Sequence, residues 1–388
     1  MDTSPMRERS FEVGGTATSV NLRLPDKGFA SHANAIGNVL PMLFGHVVAG
    51  ANGFSVKRNG RDIAAGTFSS ASDPSLDFET LPPATTEAES AILAVLEALF
   101  TCHPDLPSVK VTLPPYCDPT DLLASGAMER MEDGFISRPE FLFQLAQLWI
   151  GSAAHGYPAV STETNGIHHP MRPPKPRGIV YQRYIPWIDK VLAFHVADLE
   201  GDLEHFHRWM NDPRVSAIWE DHGSLDYHRD FLNGRLADPR TLPLIGTFDG
   251  VPFGYFELYW AKEDRLGPYY DAAPYDRGWH VAIGEDAFRG KAFVSAWLPS
   301  LMHYMFLADS RTTRIVGEPV HHHQQQIRNL DRSGFAKIKH VQFPHKKALL
   351  VMLLRERFFA DRLLSPDLGS LTDEQGRPVI GSLSRDTG

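Results

Sequence analysis

Two side chains of this 388-residue chain could work together on a proton, His280 and Glu318. His280 lies in the short apolar run Gly278–Ile283. Strand alternation puts His280 and Ala282 on one face and Trp279, Val281 and Ile283 on the other. Glu318 closes the next run, Arg314–Val316, immediately before Pro319. An imidazole titrates close to neutral pH, and an imidazole with a carboxylate partner is a common general-base arrangement. The plainer alternative for His280 is a core histidine satisfied by a backbone group.

A second constellation follows directly. Gly284 and Gly290 punctuate a loop after the 278–283 run, and Phe288-Arg289-Gly290-Lys291-Ala292 lead into a long apolar stretch. A loop running from a strand into a helix N-terminus gathers backbone N–H groups at one spot, where the helix dipole adds partial positive charge. Gly290 would let a pyrophosphate approach, and Arg289 and Lys291 would add charge. Such a loop would hold the diphosphate of coenzyme A or of another nucleotide equally well. A plain strand-to-helix turn with solvated basic residues is the alternative. Backbone N–H groups near Ala282 and Ile283 would meet an oxyanion.

On the run Val251–Trp260, Tyr255, Glu257 and Tyr259 alternate onto one face, and Trp260, Glu263 and Asp264 follow into a loop. Carboxylates here suit the amino group of an acceptor, against the alternative of a solvated face beside a core aromatic row. His321, His322 and His323 are consecutive at a helix start and point in different directions, which is poor ligand geometry, so no metal is expected.

The elements that must position these residues are legible in the pattern. Val191–Val196 reads as a strand, and Asp202–Met210 and Leu225–Leu236 as amphipathic helices. Leu242–Thr247 and Val251–Trp260 form a hairpin across the Asp249-Gly250 turn signal. After Gly290, Val294, Trp297, Leu298, Leu301, Met302 and Met305 keep the spacing of a buried helical stripe. Arg314–Val316 is a strand. The helix after it stops at Ser333-Gly334, and Phe335–Phe343 and Ala348–Arg355 are two final strands. Earlier in the chain, turns are expected at Gly50, Asn52-Gly53 and Asn59-Gly60. A helix is expected from a Thr86/Glu89 capping box, with Ile92, Leu93, Leu96, Leu99 and Phe100 on one face. Ser108–Leu113 reads as a strand, and Phe141–Ile150 as a further helix or strand.

The length suggests two domains. Residues 1–156 read as an α/β unit without a motif that carries chemistry, 157–187 as a Pro-rich linker, 188–360 as the unit holding the candidate site, and 361–388 as a polar tail. A net charge of -9 argues against a nucleic-acid or membrane-surface binder. The first residues have no signal-peptide pattern and no apolar run is long enough to span a bilayer, so the cytoplasm is the expected location. Cys102 and Cys117 form neither a metal pair nor a disulfide framework.

The element order, with Gly278-Trp279-His280-Val281-Ala282-Ile283-Gly284 and Phe288–Ala292, resembles the GNAT superfamily of N-acetyltransferases over residues 186–358. Gly254-Tyr255-Phe256-Glu257-Leu258-Tyr259-Trp260 with Glu263-Asp264 is similar to its siderophore-biosynthesis branch. The resemblance implies a mixed sheet flanked by helices and an acyl-CoA co-substrate, with acetyl-CoA the expected donor. The expected acceptor is a small N-hydroxylated lysine, ornithine or diamine. The resemblance assigns His280 and Glu318 to catalysis and Ala282, Ile283, Phe288, Arg289, Gly290, Lys291 and Ala292 to the coenzyme. Many superfamily members carry a tyrosine acid where Leu330 stands here. An ordinary primary amine as acceptor, or a non-catalytic acyl-CoA-binding module, are the competing expectations. The N-terminal half, read as a worn-down unit of the same fold, would cap the acceptor pocket or support a homodimer.

Overall fold

The computed structural model describes residues 18–22, 28–32, 42–45, 51–58, 61–69, 72–150, 157–344 and 346–365. It divides into two compact units, Met1–Gly151 and Ser152–Gly388.

In the first unit β1 (Thr18–Leu22) is followed by the pair β2 (Gly28–His32) and β3 (Met42–Gly45). β4 (Ala51–Arg58) and β5 (Arg61–Ser69) form a hairpin that closes at Arg58↔Arg61. Asn59-Gly60 and Gly50 lie outside the described residues. Asn52 and Gly53 are not a turn: they sit inside β4, because its pairing with Phe68 and Thr67 continues through them. β6 (Ser75–Thr80), α1 (Thr85–Cys102), β7 (Val109–Thr112), α2 (Thr120–Ala124), β8 (Glu129–Met131), β9 (Gly134–Ser137) and α3 (Pro139–Leu142) complete the unit. α1 buries Ile92, Leu93, Leu96, Leu99 and Phe100. The expected capping box does not form. The helix begins at Thr85, so Thr86 is already helical, and no side chain caps Ala84. Phe141–Ile150 is a short helical end and a 3-10 turn, with Leu142, Phe143, Leu148, Trp149 and Ile150 buried.

The second unit begins with a small hairpin, β10 (Ser161–Thr164) and β11 (Ile167–Pro170), then β12 (Ile179–Ile185). The stretch expected as a linker is therefore structured. Asn165 and Gly166 both take positive φ at the hairpin turn, and β12 buries Val180, Tyr181, Tyr184 and Ile185 as the edge strand of the main sheet. Its neighbours are β13 (Lys190–Val196), β14 (Thr241–Phe248), β15 (Val251–Trp260), β16 (Arg277–Ile283), β17 (Arg314–Gly317), β18 (Ala336–Gln342) and β19 (Lys347–Leu354), in the order β12-β13-β14-β15-β16-β17-β19-β18. The connecting helices are α4 (Leu203–Met210), α5 (Pro213–Trp219), α6 (Leu225–Ala237), α7 (Lys291–Ala308) and α8 (Gln324–Arg332), with α9 (Arg355–Ala360) after the last strand. Asp249 and Gly250 turn the β14–β15 hairpin at φ 49° and 78°, and Gly334 leaves α8 at φ 87°. α7 is apolar on nearly every side and buried from Ala296 to Leu307. Sequence periodicity had shown neither α5 nor α9.

The first sheet runs β1-β4-β5-β6-β7-β9-β8, the same plan as β13-β14-β15-β16-β17-β19-β18, with 18-residue helices α1 and α7 at the parallel crossover in each. The crossover loop differs. Before α1 stands Leu81-Pro82-Pro83-Ala84, with no glycine, no basic residue and two positions lacking an N–H. The first unit repeats the strand plan without the glycine and basic residues that precede α7.

Candidate active site

β16 and β17 pair in parallel only at Arg277↔Ile315 and Gly278↔Val316. Beyond Gly278 the edge of β16 turned toward β17 has no strand beside it among the described residues. Parallel register also brings Glu318, just past β17, level with His280. On its other side β16 is fully paired with β15, and Glu257 lies directly opposite His280.

This face of β15–β16 runs between two apolar clusters. Tyr255 and Ala282 belong to the one built with Phe206, Trp209 and Leu232. Tyr259 belongs to the other, with Leu266, Val316 and Phe343. His280 stands between them with its side chain 27% exposed. Its Nδ1 lies 3.4 Å from Glu257 Oε1 and its Nε2 3.4 Å from Glu318 Oε1. Tyr255 Oη donates to Glu257 and Tyr259 Oη to Glu318, at 3.1 and 3.0 Å. Gly278 gives Tyr259 room, since a Cβ there would fall 2.2 Å from the phenol ring.

More cations converge on these carboxylates than the sequence signalled. Arg235 Nε lies 2.7 Å from Glu257 Oε2. Arg265 donates to Glu318 Oε1 at 3.1 Å and sits 3.3 Å from His280 Nε2. Lys346 donates to the Glu318 carbonyl at 3.1 Å. Trp219, at the end of α5, places its ring edge-on to His280 at 6.1 Å and donates from Nε1 to the Val281 carbonyl. Arg265 directly follows the acidic pair noted in the sequence. Arg235, Lys346 and Trp219 had no local signal.

Burial opposes the imidazolium form of His280, but hydrogen bonds to Glu257 and Glu318, with their charges, outweigh it and raise its pKa to about 9. Burial pushes Glu257 and Glu318 upward, yet the facing imidazole and the neighbouring cations hold both below the usual carboxylate range. Asp264 is raised, chiefly by burial.

Several expected acceptor residues take other roles. Glu263 is buried in a bidentate fork with Arg172, at 2.6 Å for each bond, and is not free to bind an amine. Trp260 faces away from His280 and lies under the same guanidinium at 4.3 Å. Tyr255 and Tyr259 are fully buried and brace the two carboxylates. Glu257 serves the imidazole. Asp264, partly buried beside the cluster, accepts from Leu266 N–H at 3.3 Å.

At the other end of β16, Gly284 packs against Trp209, where a Cβ would lie 2.0 Å from the indole. Gly290 holds φ 101° and ψ 174° as the N-cap of α7, and no side chain caps that helix. The backbone N–H groups of its first turn therefore point outward. Arg289 donates to the Ile283 carbonyl at 2.5 Å, Phe288 stacks on Phe248, and Lys291 is exposed. Of the three consecutive histidines, His323 caps α8, accepting from Gln326 N–H at 3.2 Å, and His321 Nδ1 lies 3.0 Å from the Lys347 carbonyl. Leu330, where a tyrosine acid would stand, is buried. No group of metal-binding side chains occurs among the described residues, nor a helix long and apolar enough to cross a membrane.

Residues 198–343 match the acetyltransferase (GNAT) domain model. The chain is 39% identical over 269 residues to an N(6)-hydroxylysine O-acetyltransferase of Escherichia coli, covering 69% of this chain and 84% of that one. An N(5)-hydroxyornithine:cis-anhydromevalonyl coenzyme A-N(5)-transacylase of Beauveria bassiana is 45% identical over 196 residues, covering 49% of this chain and 43% of its own. A hydroxyornithine transacylase of Ajellomyces capsulatus is 43% identical over 195 residues, 49% of this chain and 44% of its own. Among solved structures, an aminoglycoside acetyltransferase in complex with coenzyme A aligns at 24% identity and a TM-score of 0.40, over 44% of this chain and 99% of that one.

Proposed function

Because the chain belongs to the GNAT acetyltransferase family, in the branch of N-hydroxylysine and N-hydroxyornithine acyltransferases, we propose that it acylates the hydroxylamine nitrogen of an N-hydroxylated lysine, ornithine or diamine from acyl-CoA. The product is a hydroxamate, the iron-binding unit of a siderophore. The single observation that carries this reading is the loss of β16–β17 pairing beyond Gly278↔Val316, which opens the sheet beside His280.

The diphosphate of coenzyme A sits at the Gly290 loop and the first turn of α7. The thioester lies along the open edge of β16, its oxygen toward the backbone of Ala282 and Ile283. A hydroxylated nitrogen is far less basic than an alkylamine and arrives neutral. It attacks the thioester carbon, the new C–N bond forms, and the C–S bond breaks to release the coenzyme thiolate. His280 in its neutral form takes the proton that the nitrogen loses, and Glu257 and Glu318 stabilise the imidazolium so formed. No covalent enzyme intermediate is needed. A cytoplasmic location fits a coenzyme A thioester as donor. We assign the Met1–Gly151 unit a structural role, in keeping with a crossover loop without the glycine and charge of its counterpart.

The direct test supplies acetyl-CoA with N6-hydroxylysine, N5-hydroxyornithine, N-hydroxycadaverine, or lysine, and follows both free thiol and the ferric complex of the product. Thiol release with a coloured ferric hydroxamate from a hydroxylated acceptor, and none from lysine, is expected. An O-acylated product would release thiol without the ferric chelate. That outcome, or turnover of lysine alone, would refute the proposal.

A further inference from the structure

Arg277 opens β16 on the face of the sheet away from His280, directly opposite Trp260 on β15. Its guanidinium lies over the Trp260 indole at 4.7 Å. The residue is only 5% exposed. Yet its side chain makes no hydrogen bond or ion pair among the described residues, and Nε is enclosed without a partner. A guanidinium keeps its charge at any working pH, and burial without an acceptor leaves that charge uncompensated. The buried carboxylates of this region are already taken. Glu263 is closed by Nε and Nη2 of Arg172, at 2.6 Å each. Asp309 is closed by the same two atoms of Arg311, at 2.9 and 2.8 Å. Asp276, the neighbour of Arg277 in the chain, is closed by those of Arg314, at 2.9 and 2.7 Å. In each fork two adjacent guanidinium nitrogens meet two carboxylate oxygens. Arg172 lies over the same Trp260 ring as Arg277, and Arg311 over Tyr275. Four arginines thus meet three carboxylates, and the arginine left without a fork is buried.

We propose that Arg277 is the anchor of a second ligand site, which takes a small carboxylate anion between two adjacent nitrogens of its guanidinium, on the opposite face of the sheet from His280. A planar anion with two oxygens matches a guanidinium edge, and its single negative charge matches the one cation left over. The bound anion would repeat for Arg277 the fork that Glu263, Asp309 and Asp276 supply to the other three arginines. The site lies where β16 and β17 are still paired, at Arg277↔Ile315, so an anion here would brace the closed end of the strand pair whose other end opens beside His280. Its existence does not depend on the acyl-transfer reading.

The test follows thermal unfolding of the full-length protein, in carboxylate-free buffer at constant ionic strength, with formate or acetate added. Formamide and acetamide, neutral molecules of the same shape, are the controls. At least one carboxylate should bind with a Kd on the order of millimolar, and above that concentration each tenfold rise should lift Tm by about 3–5 °C. The amides should move Tm by less than about 1 °C. Arg277→Met keeps the length and apolar packing of the side chain without its charge, and should lose the response to carboxylate. No saturable response of the wild type to either carboxylate, or an equal response in Arg277→Met, would overturn the proposal. Should the variant fail to fold, a wild-type crystal soaked in acetate decides. A carboxylate within about 3 Å of the Arg277 guanidinium supports the site, and a guanidinium without one at saturating acetate rejects it.

Discussion

Replacing His280 with alanine should lower kcat for hydroxamate formation by about 10²- to 10³-fold, with coenzyme A affinity changed by less than about twofold, because a positioned proton acceptor contributes on that scale. The imidazole faces both carboxylates and borders the open edge of β16. The Gly284–Gly290 loop, proposed above to hold the coenzyme, begins four residues further on. Loss of the imidazole does not strand Glu257 and Glu318, since Arg235 and Tyr255 still serve the first and Arg265, Lys346 and Tyr259 the second. The variant should therefore fold, and His280→Gln, which keeps side-chain hydrogen bonding without basicity, should show the same loss. Stopped-assay thiol release with N6-hydroxylysine reads the effect. A rate within a few-fold of wild type in both variants would remove His280 from the chemistry.

The second large effect is expected at Gly290. Its backbone, at φ 101° and ψ 174°, lies in a region that is essentially glycine's alone. Alanine there costs about 1–3 kcal/mol in strain or moves the loop, and a Cβ narrows the approach to the first turn of α7. Gly290→Ala should weaken acyl-CoA binding by about 10- to 100-fold in calorimetry while KM for the acceptor stays close to wild type. Unchanged coenzyme affinity would place the diphosphate elsewhere.

How far these residues could be read in one dimension follows the range of the interaction. Alternation along Gly278–Ile283 put His280 and Ala282 on one face, and the order of strands set Glu318 at the end of the next one. Both are local patterns with fixed periods. The Asp249-Gly250 hairpin was legible for the same reason. Glu257 was seen, but not its task, because the register Glu257↔His280 is a pairing across 23 residues that no local pattern encodes. Glu263 looked like an exposed loop acid, since Arg172, 91 residues away, leaves no trace nearby. The prolines of 157–187 suggested a linker, although Ile179–Ile185 has the aromatic and branched content of a buried edge strand. Short α5, Pro213–Trp219, spans too few turns to show a period, and with it Trp219 went unseen.

In the proposed mechanism neutral His280 accepts the proton, and the pH dependence of kcat/KM reads this step most directly. The ring is held protonated up to about 9 by its two carboxylates, so the reactive form grows as pH rises. Between pH 6.5 and 8.5 kcat/KM for N6-hydroxylysine should climb by up to about tenfold per unit and level off near 9. A profile that is flat or falling across that range would contradict the account.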